Sequence, residues 1–296
     1  IAKSLRSSMD IPPSYYARYL SVHVTHQQSK SNVLPTPRGH YVNNATRSSS
    51  SSCSSPFNVT DKVIIVAGSG SKFQNQWGIG SATSILLANL GANVISVSRS
   101  IESGRCMADQ FRKDGVHDKC WVVAADCLEP ESVQTLVDKV MNRHGRIDVL
   151  INAGIHLAKT NGFDNMCKDK WVHCLNANVN AQYNLTKATI PIFTTQKSGN
   201  IIFFSTIAAR LALGMKRQRH GYAAGKAAST ELTKRLGIEY ARDGIRANVL
   251  NIGYTSGALV SRAVHHSNAD EEAVRNKRDS CVPRGKQGTP EEVAAV

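Results

Sequence analysis

From Lys62 onward the chain repeats one pattern: a short apolar run, a turn rich in glycine or polar residues, then a stretch with helical spacing of apolar positions. The apolar runs are Val63–Ala67, Asn93–Ser98, Trp121–Ala125, Ile147–Ile151, Asn200–Phe204 and Ile245–Asn251. Their length and lack of helical period predict strands. Between them Ser81–Leu90, Ile101–Lys113, Glu131–His144, Trp171–Ile190 and Tyr222–Ala241 predict helices, and Gly91 stands where a helix C-terminal cap would. Near-continuous apolar strands alternating with helices imply a parallel sheet covered on both faces. Right-handed crossovers then give an α/β, doubly wound (Rossmann) fold in a single domain over residues 61–296.

Residues 1–60 lack this pattern. They hold six Lys or Arg against the single acid Asp10, an unbroken serine run from Ser48 to Ser52, and four prolines before Arg38. Such a segment cannot bury enough apolar area to offset its ordering entropy, so it is expected to be disordered. An Arg-bearing, Ser-rich, acid-poor stretch has the composition of an organelle transit peptide and, equally, of an extension without function. The first reading places the protein in a mitochondrial or plastid matrix; the second leaves it cytoplasmic.

Composition changes the picture little. Hydrophobic residues make up 41% and charged residues 20% of the 296, as in ordinary globular proteins. No stretch approaches the eighteen or so apolar residues of a membrane span. The net charge of +14 could attract nucleic acid or an anionic cofactor. Basicity without a recognition motif or stacking platform does not make a nucleic-acid module, so no nucleic-acid partner is expected. Seven cysteines with no CxxC pair argue for reduced thiols, not disulfides or zinc. His265-His266 lacks further ligands at suitable spacing, so no metal is expected.

The first strand runs into Gly68, and Gly78-Ile79-Gly80 opens the next helix. A doubly wound sheet binds a dinucleotide at this position: glycines let the backbone approach a pyrophosphate, and the helix N-terminus offers unpaired N–H groups. Ala67-Gly68…Gly78-Ile79-Gly80 resembles the TGxxxGIG turn of short-chain dehydrogenases/reductases. Alanine replaces the usual threonine, and the loop from Ser69 to Trp77, which carries Lys72, is longer than the family's three residues. An acid ending the second strand would hold the ribose hydroxyls of NAD, but this chain has Ser98-Arg99. An arginine there can pair with a 2′-phosphate, so NADP(H) is preferred, with NAD(H) the alternative. The resemblance implies further cofactor contacts at Asp126, after the third strand, and at Asn152-Ala153-Gly154, after the fourth. It also implies contacts at Gly253 and Thr255, where Ile252 replaces the proline of the family's PG turn.

Tyr222-Ala-Ala-Gly-Lys226 puts a phenol and an ammonium four apart, on one helix face. A free phenol has a pKa near 10, too high for ready proton exchange at neutral pH, and a neighbouring cation should favour phenolate. The string matches the YxxxK signature of the same family, and Asp243-Gly244-Ile245-Arg246-Ala247-Asn248 resembles its GIRVN segment. The resemblance implies a catalytic role for Tyr222, Lys226 and the hydroxyl pair Ser205-Thr206, with Thr206 at the family's serine position. It also implies one for Asn178, which resembles an asparagine that bends a helix and holds a relay water. The reaction implied is hydride transfer between NADP(H) and a small carbonyl or secondary alcohol, as in 3-oxoacyl-carrier-protein reductases, with Tyr222 as general acid/base. The alternatives are an NAD-dependent alcohol dehydrogenase and a catalytically silent, cofactor-binding relative.

Tetramers or dimers are expected by resemblance alone. Residues Arg284–Ala294 resemble the segment before the family's last helix and seventh strand, so the strand from Ile245 is expected at a sheet edge with the final strand missing. The loop Ser256–Cys281, expected to set substrate choice, carries no familiar motif.

Overall fold

A computed structural model of the chain describes residues 58–71, 77–155, 163–211, 219–257 and 270–296. The Ser-rich segment up to residue 57, Lys72 of the glycine loop and the His265-His266 pair lie outside the described residues.

Six strands form one parallel sheet: β1 Val63–Ala67, β2 Asn93–Ser98, β3 Cys120–Ala124, β4 Val149–Asn152, β5 Gly199–Thr206 and β6 Ile245–Ile252. Their order is β3-β2-β1-β4-β5-β6. The helices are α1 Ile79–Asn89, α2 Ile101–Lys113, α3 Pro130–His144, α4 Lys168–Leu175, α5 Ala181–Gln196, α6 His220–Glu239, α7 Glu271–Ser280 and α8 Pro290–Ala294. The chain runs outward from β1 to β3, then returns to β4 on the other side, which is the doubly wound topology expected.

Each strand places alternate residues on opposite faces. Val63, Ile65, Ala67, Leu150, Ile201 and Phe203 join Leu136, Val140 and Phe193 in the core on the α3 and α5 side. Ile64, Val66, Val94 and Ile151 join Met107 and Phe111 on the α1 and α2 side. Both faces of the central strands are therefore dry, which explains their unbroken apolar runs. Truncating a fully buried residue such as Leu150 to alanine is expected to cost about 2–5 kcal/mol.

The expected bounds of β1, β2 and α2 coincide with the structure. Two others moved for visible reasons. Ile147 does not extend β4, because its backbone is paired with the Gln196 side chain: its N–H donates to Oε1 at 3.1 Å and its carbonyl accepts from Nε2 at 2.6 Å. The single helix expected over Trp171–Ile190 is α4 and α5 joined by a π-helical turn, Asn176–Asn180. Asn178 sits in that turn with its Nδ2 donating to the Cys174 carbonyl at 2.8 Å. Helix α7, within the stretch that carried no motif, was not expected. It starts on the side chain of Asp270, which accepts from the Glu272 N–H at 3.0 Å. Strand β6 pairs with β5 and lies at the sheet edge among the described residues, most of it half-buried.

Candidate active site

All six strands are parallel, so the loops following them gather at one edge of the sheet, where open α/β sheets bind ligands. Gly68, Arg99, Asp126, Asn152-Ala153-Gly154, Thr206 and Gly253–Thr255 each follow or end a strand there.

At the centre of that edge the turns after β1 and β4 touch. Gly68 has φ +80°, and a Cβ on it would lie 2.5 Å from the Gly154 nitrogen. A Cβ on Gly80 would lie 2.4 Å from the Gly68 carbonyl oxygen. Glycine is thus required at both for the backbones to meet. The Ala153 N–H donates to the Ala67 carbonyl at 2.8 Å, and the Gly154 N–H donates to Asn152 Oδ1 at 3.0 Å. Gly78 differs: among the described residues a Cβ there would meet nothing within 4 Å. As N-cap of α1 it supplies no side-chain hydrogen bond, and the first turn of α1, which includes Ile79, has no acid. The N-termini of α2 and α8, by contrast, are capped by Ser100 and Thr289 and carry acids. Among the described residues an anionic group therefore finds open space at Gly78, uncapped N–H groups and no acid in the first turn of α1, which fits a dinucleotide pyrophosphate.

After Gly68 the chain crosses the tip of β2. Gly68 and Ser69 both donate their N–H to the Val97 carbonyl, and a Cβ on Gly70 would lie 2.6 Å from Ser98 Cβ. This brings the glycine turn beside Arg99, which is exposed between Ser98 and the α2 cap Ser100. Asp126 is half-buried and accepts the Leu128 N–H on Oδ1 at 2.9 Å, which tightens the turn after β3.

The catalytic candidates converge where α6 lies against β5. Lys226 is buried, and its Nζ donates to the Phe204 carbonyl at 2.9 Å and to the Gly154 carbonyl at 3.2 Å. One side chain thus ties α6 to β5 and to the turn after β4. Burial brings its pKa down to about 8. Tyr222, one helical turn earlier, lies near enough to Thr206 for the threonine hydroxyl to favour its ionised form. Burial raises the phenol pKa more than Thr206 and the nearby Arg219 cation lower it. For the protein alone this is opposite to the expected effect of Lys226, because desolvation of the phenolate outweighs the charges around it. Thr206 also accepts the Ala208 N–H on Oγ1 at 3.3 Å.

Ser205 is not part of this group. It donates to the Lys226 carbonyl at 3.0 Å and hydrogen-bonds Thr230 Oγ1 at 2.8 Å, so it braces α6 on the strand. Adjacent strand residues point to opposite sides, and Thr206 takes the cleft. Asn178 is buried beside α6: a Cβ on Gly225 would come within 3.0 Å of its Cβ, and Ser229 donates to its carbonyl at 2.6 Å. No motif pointed to Phe204, Ser229 or Thr230, whose contributions are backbone or helix-packing contacts.

The short chain dehydrogenase family model matches residues 62–268. The chain belongs to that family. It is 31% identical to the oxidoreductase UcpA of Escherichia coli K12, over 74% of this chain and 81% of the relative. It is 30% identical to the 3-oxoacyl-[acyl-carrier-protein] reductase FabG of Thermotoga maritima, over 79% and 88%. Among solved structures, levodione reductase superposes with a TM-score of 0.72 at 24% identity, covering 80% of this chain and 88% of that one. NAD+-bound xylitol dehydrogenase superposes at 0.71 and 22%, covering 80% and 90%. Those two likenesses are of fold. Family membership makes the chain an oxidoreductase of the NAD(P)-dependent dehydrogenase and reductase class.

Among the described residues no helix is long and apolar enough to cross a membrane, and no cluster of three His, Cys, Asp or Glu could hold a metal. Burial pushes the Cys120 and Cys127 thiols up to about 12, so neither is a nucleophile at neutral pH.

Proposed function

We propose that the protein interconverts a small carbonyl compound and its secondary alcohol with NADP(H), using Tyr222 as general acid/base. The observation that carries this reading is the meeting of Tyr222 with Thr206, and of Lys226 with the turn after β4, at the strand ends beside the glycine turn.

Gly68, Gly78, Ile79 and Gly80 would hold the pyrophosphate, Arg99 the 2′-phosphate, and Asp126 the adenine. Asn152, Ala153, Gly154, Lys226, Gly253 and Thr255 would hold the nicotinamide riboside. Bound there, the cofactor supplies the hydride. Thr206 and Tyr222 steady the substrate oxygen as charge develops on it, and Tyr222 gives it a proton. A phenol whose pKa is raised by burial holds that proton through neutral pH, which suits a proton donor in the reducing direction. Lys226, near its midpoint around pH 8, and Asn178, packed against Gly225, lie on the path by which the proton is replaced.

Fluorescence titration with NADPH and NADH, followed by turnover on a panel of ketones and secondary alcohols, tests the proposal. Tighter NADPH binding and carbonyl reduction abolished by Tyr222→Phe are expected. Tight cofactor binding with no turnover on any of the panel would identify a silent relative instead.

A further inference from the structure

The segment after β6 is held from outside the sheet by a side chain that no motif announces. Arg278, in α7, donates from Nη2 to the Thr255 carbonyl at 2.9 Å and from Nε to Gln287 Oε1 at 2.9 Å. Its guanidinium lies 4.9 Å from the centre of the Tyr254 ring. Gln287 is buried, and its N–H donates to Asp279 Oδ1 at 2.9 Å, so both sides of the clamp are anchored on α7.

The same segment is fixed at two further points. Gly288 donates its N–H to the Tyr254 carbonyl at 2.9 Å, and Ser256 donates to the Gly288 carbonyl at 2.8 Å, around a parallel bridge between Thr255 and Gly288. Gly257, at φ +117°, lies so close to the glycine turn that a Cβ on it would be 2.9 Å from the Trp77 carbonyl oxygen. Trp77 directly precedes Gly78. The path of Tyr254–Gly257 is thus set between the pyrophosphate end of the site and α7.

We propose that Arg278 is a positioning residue that fixes the Tyr254-Thr255 segment against the nicotinamide end of the cofactor. The proposal rests on the reading above, in which Gly253 and Thr255 flank the nicotinamide riboside. A planar fork is what the geometry needs: two donors reach two acceptors in different segments while the flat face covers an aromatic ring. Lysine can satisfy one of these contacts; glutamine loses the charge and the stacking together. The carbonyl it holds belongs to Thr255 itself, so loosening Arg278 frees the strand end at the residue meant to touch the cofactor.

The test compares NADPH with 2′-phospho-ADP-ribose, which is the same cofactor without its nicotinamide. Arg278→Gln should weaken NADPH binding about ten-fold, the effect of losing a charge-assisted hydrogen bond, and leave the nicotinamide-free probe within about two-fold of wild type. Arg278→Lys should recover part of the loss, with thermal unfolding followed alongside for both variants. Equal weakening of both ligands, or an unchanged NADPH affinity in Arg278→Gln, overturns the proposal. Failure of the wild-type protein to bind NADPH or NADH would instead overturn the functional reading beneath it.

Discussion

Thr206, at the tip of β5, faces the Tyr222 phenol in the first turn of α6 and favours its ionised form, whereas Ser205, one residue earlier, turns its hydroxyl to the Lys226 carbonyl. Strand alternation turns the two neighbouring hydroxyls to opposite sides, and the path of α6 across β5 decides which of them faces Tyr222. Thr206→Ala is expected to lower turnover by about 100-fold or more, the scale of losing one donor to a developing oxyanion. Thr206→Ser should restore most of it. Ser205→Ala should instead cost about 0.5–1.5 kcal/mol of stability, because a buried hydrogen bond is lost while Thr230 keeps the Lys226 carbonyl, with a smaller effect on turnover. Steady-state kinetics and urea denaturation of the three variants decide; a Ser205→Ala enzyme as inactive as Thr206→Ala contradicts the assignment.

The buried Lys226 makes stability depend on pH in a calculable direction. Its folded pKa is about 8, and an unfolded lysine titrates near 10.4. Between those values the unfolded chain keeps a proton that the folded protein has released, so this group's contribution to stability rises with pH across that window. Below about pH 8 both states are protonated and the fold carries the cost of a buried cation, about 3 kcal/mol. The ligand-free Lys226→Met variant should therefore lose ground against wild type as pH is raised from 7 to 10. Urea midpoints at both pH values measure this, and a pH-independent difference between the two proteins would be the contrary result.

Gly68 and Gly78 belong to one turn but answer to different constraints. Alanine at Gly68 meets the Gly154 backbone and a left-handed φ, and should destabilise the fold by at least about 1–2 kcal/mol. Alanine at Gly78, where φ is −86° and no described residue lies within 4 Å of the added methyl, should shift stability by only a few tenths of a kcal/mol. Its methyl group would instead point into the space offered to the pyrophosphate, so cofactor affinity should fall. Thermal unfolding paired with cofactor titration separates the two, and a Gly78→Ala protein with unchanged affinity would argue against pyrophosphate at α1.

Arg99 is exposed beside the crossing of Gly68–Ser71 over β2. Arg99→Ala should reduce NADPH affinity by roughly ten-fold or more, the weight of a charge-assisted contact to phosphate, and leave NADH affinity nearly unchanged. Equal losses for both cofactors would assign Arg99 a role other than reading the 2′-phosphate.

The amino-acid sequence determined the doubly wound sheet, because apolar period and glycine punctuation are local properties that survive without knowledge of neighbours. Val63–Ala67, Asn93–Ser98 and Ile101–Lys113 could be bounded to the residue for this reason. The spacing of Tyr222 and Lys226 was likewise visible, since four residues make one helical turn in any context. What the tertiary structure alone decided are the relations between segments far apart in the chain. Which of Ser205 and Thr206 meets Tyr222 depended on how α6 crosses β5. Whether burial or a neighbouring charge governs the phenol depended on how much surrounding chain excludes water from it. The grip of Arg278 on Thr255 closes only when α7 docks beside the end of β6, and no run of residues announces a contact between a side chain and a distant carbonyl. Period and spacing carry information along the chain; desolvation and hydrogen-bond geometry exist only once the chain has folded back upon itself.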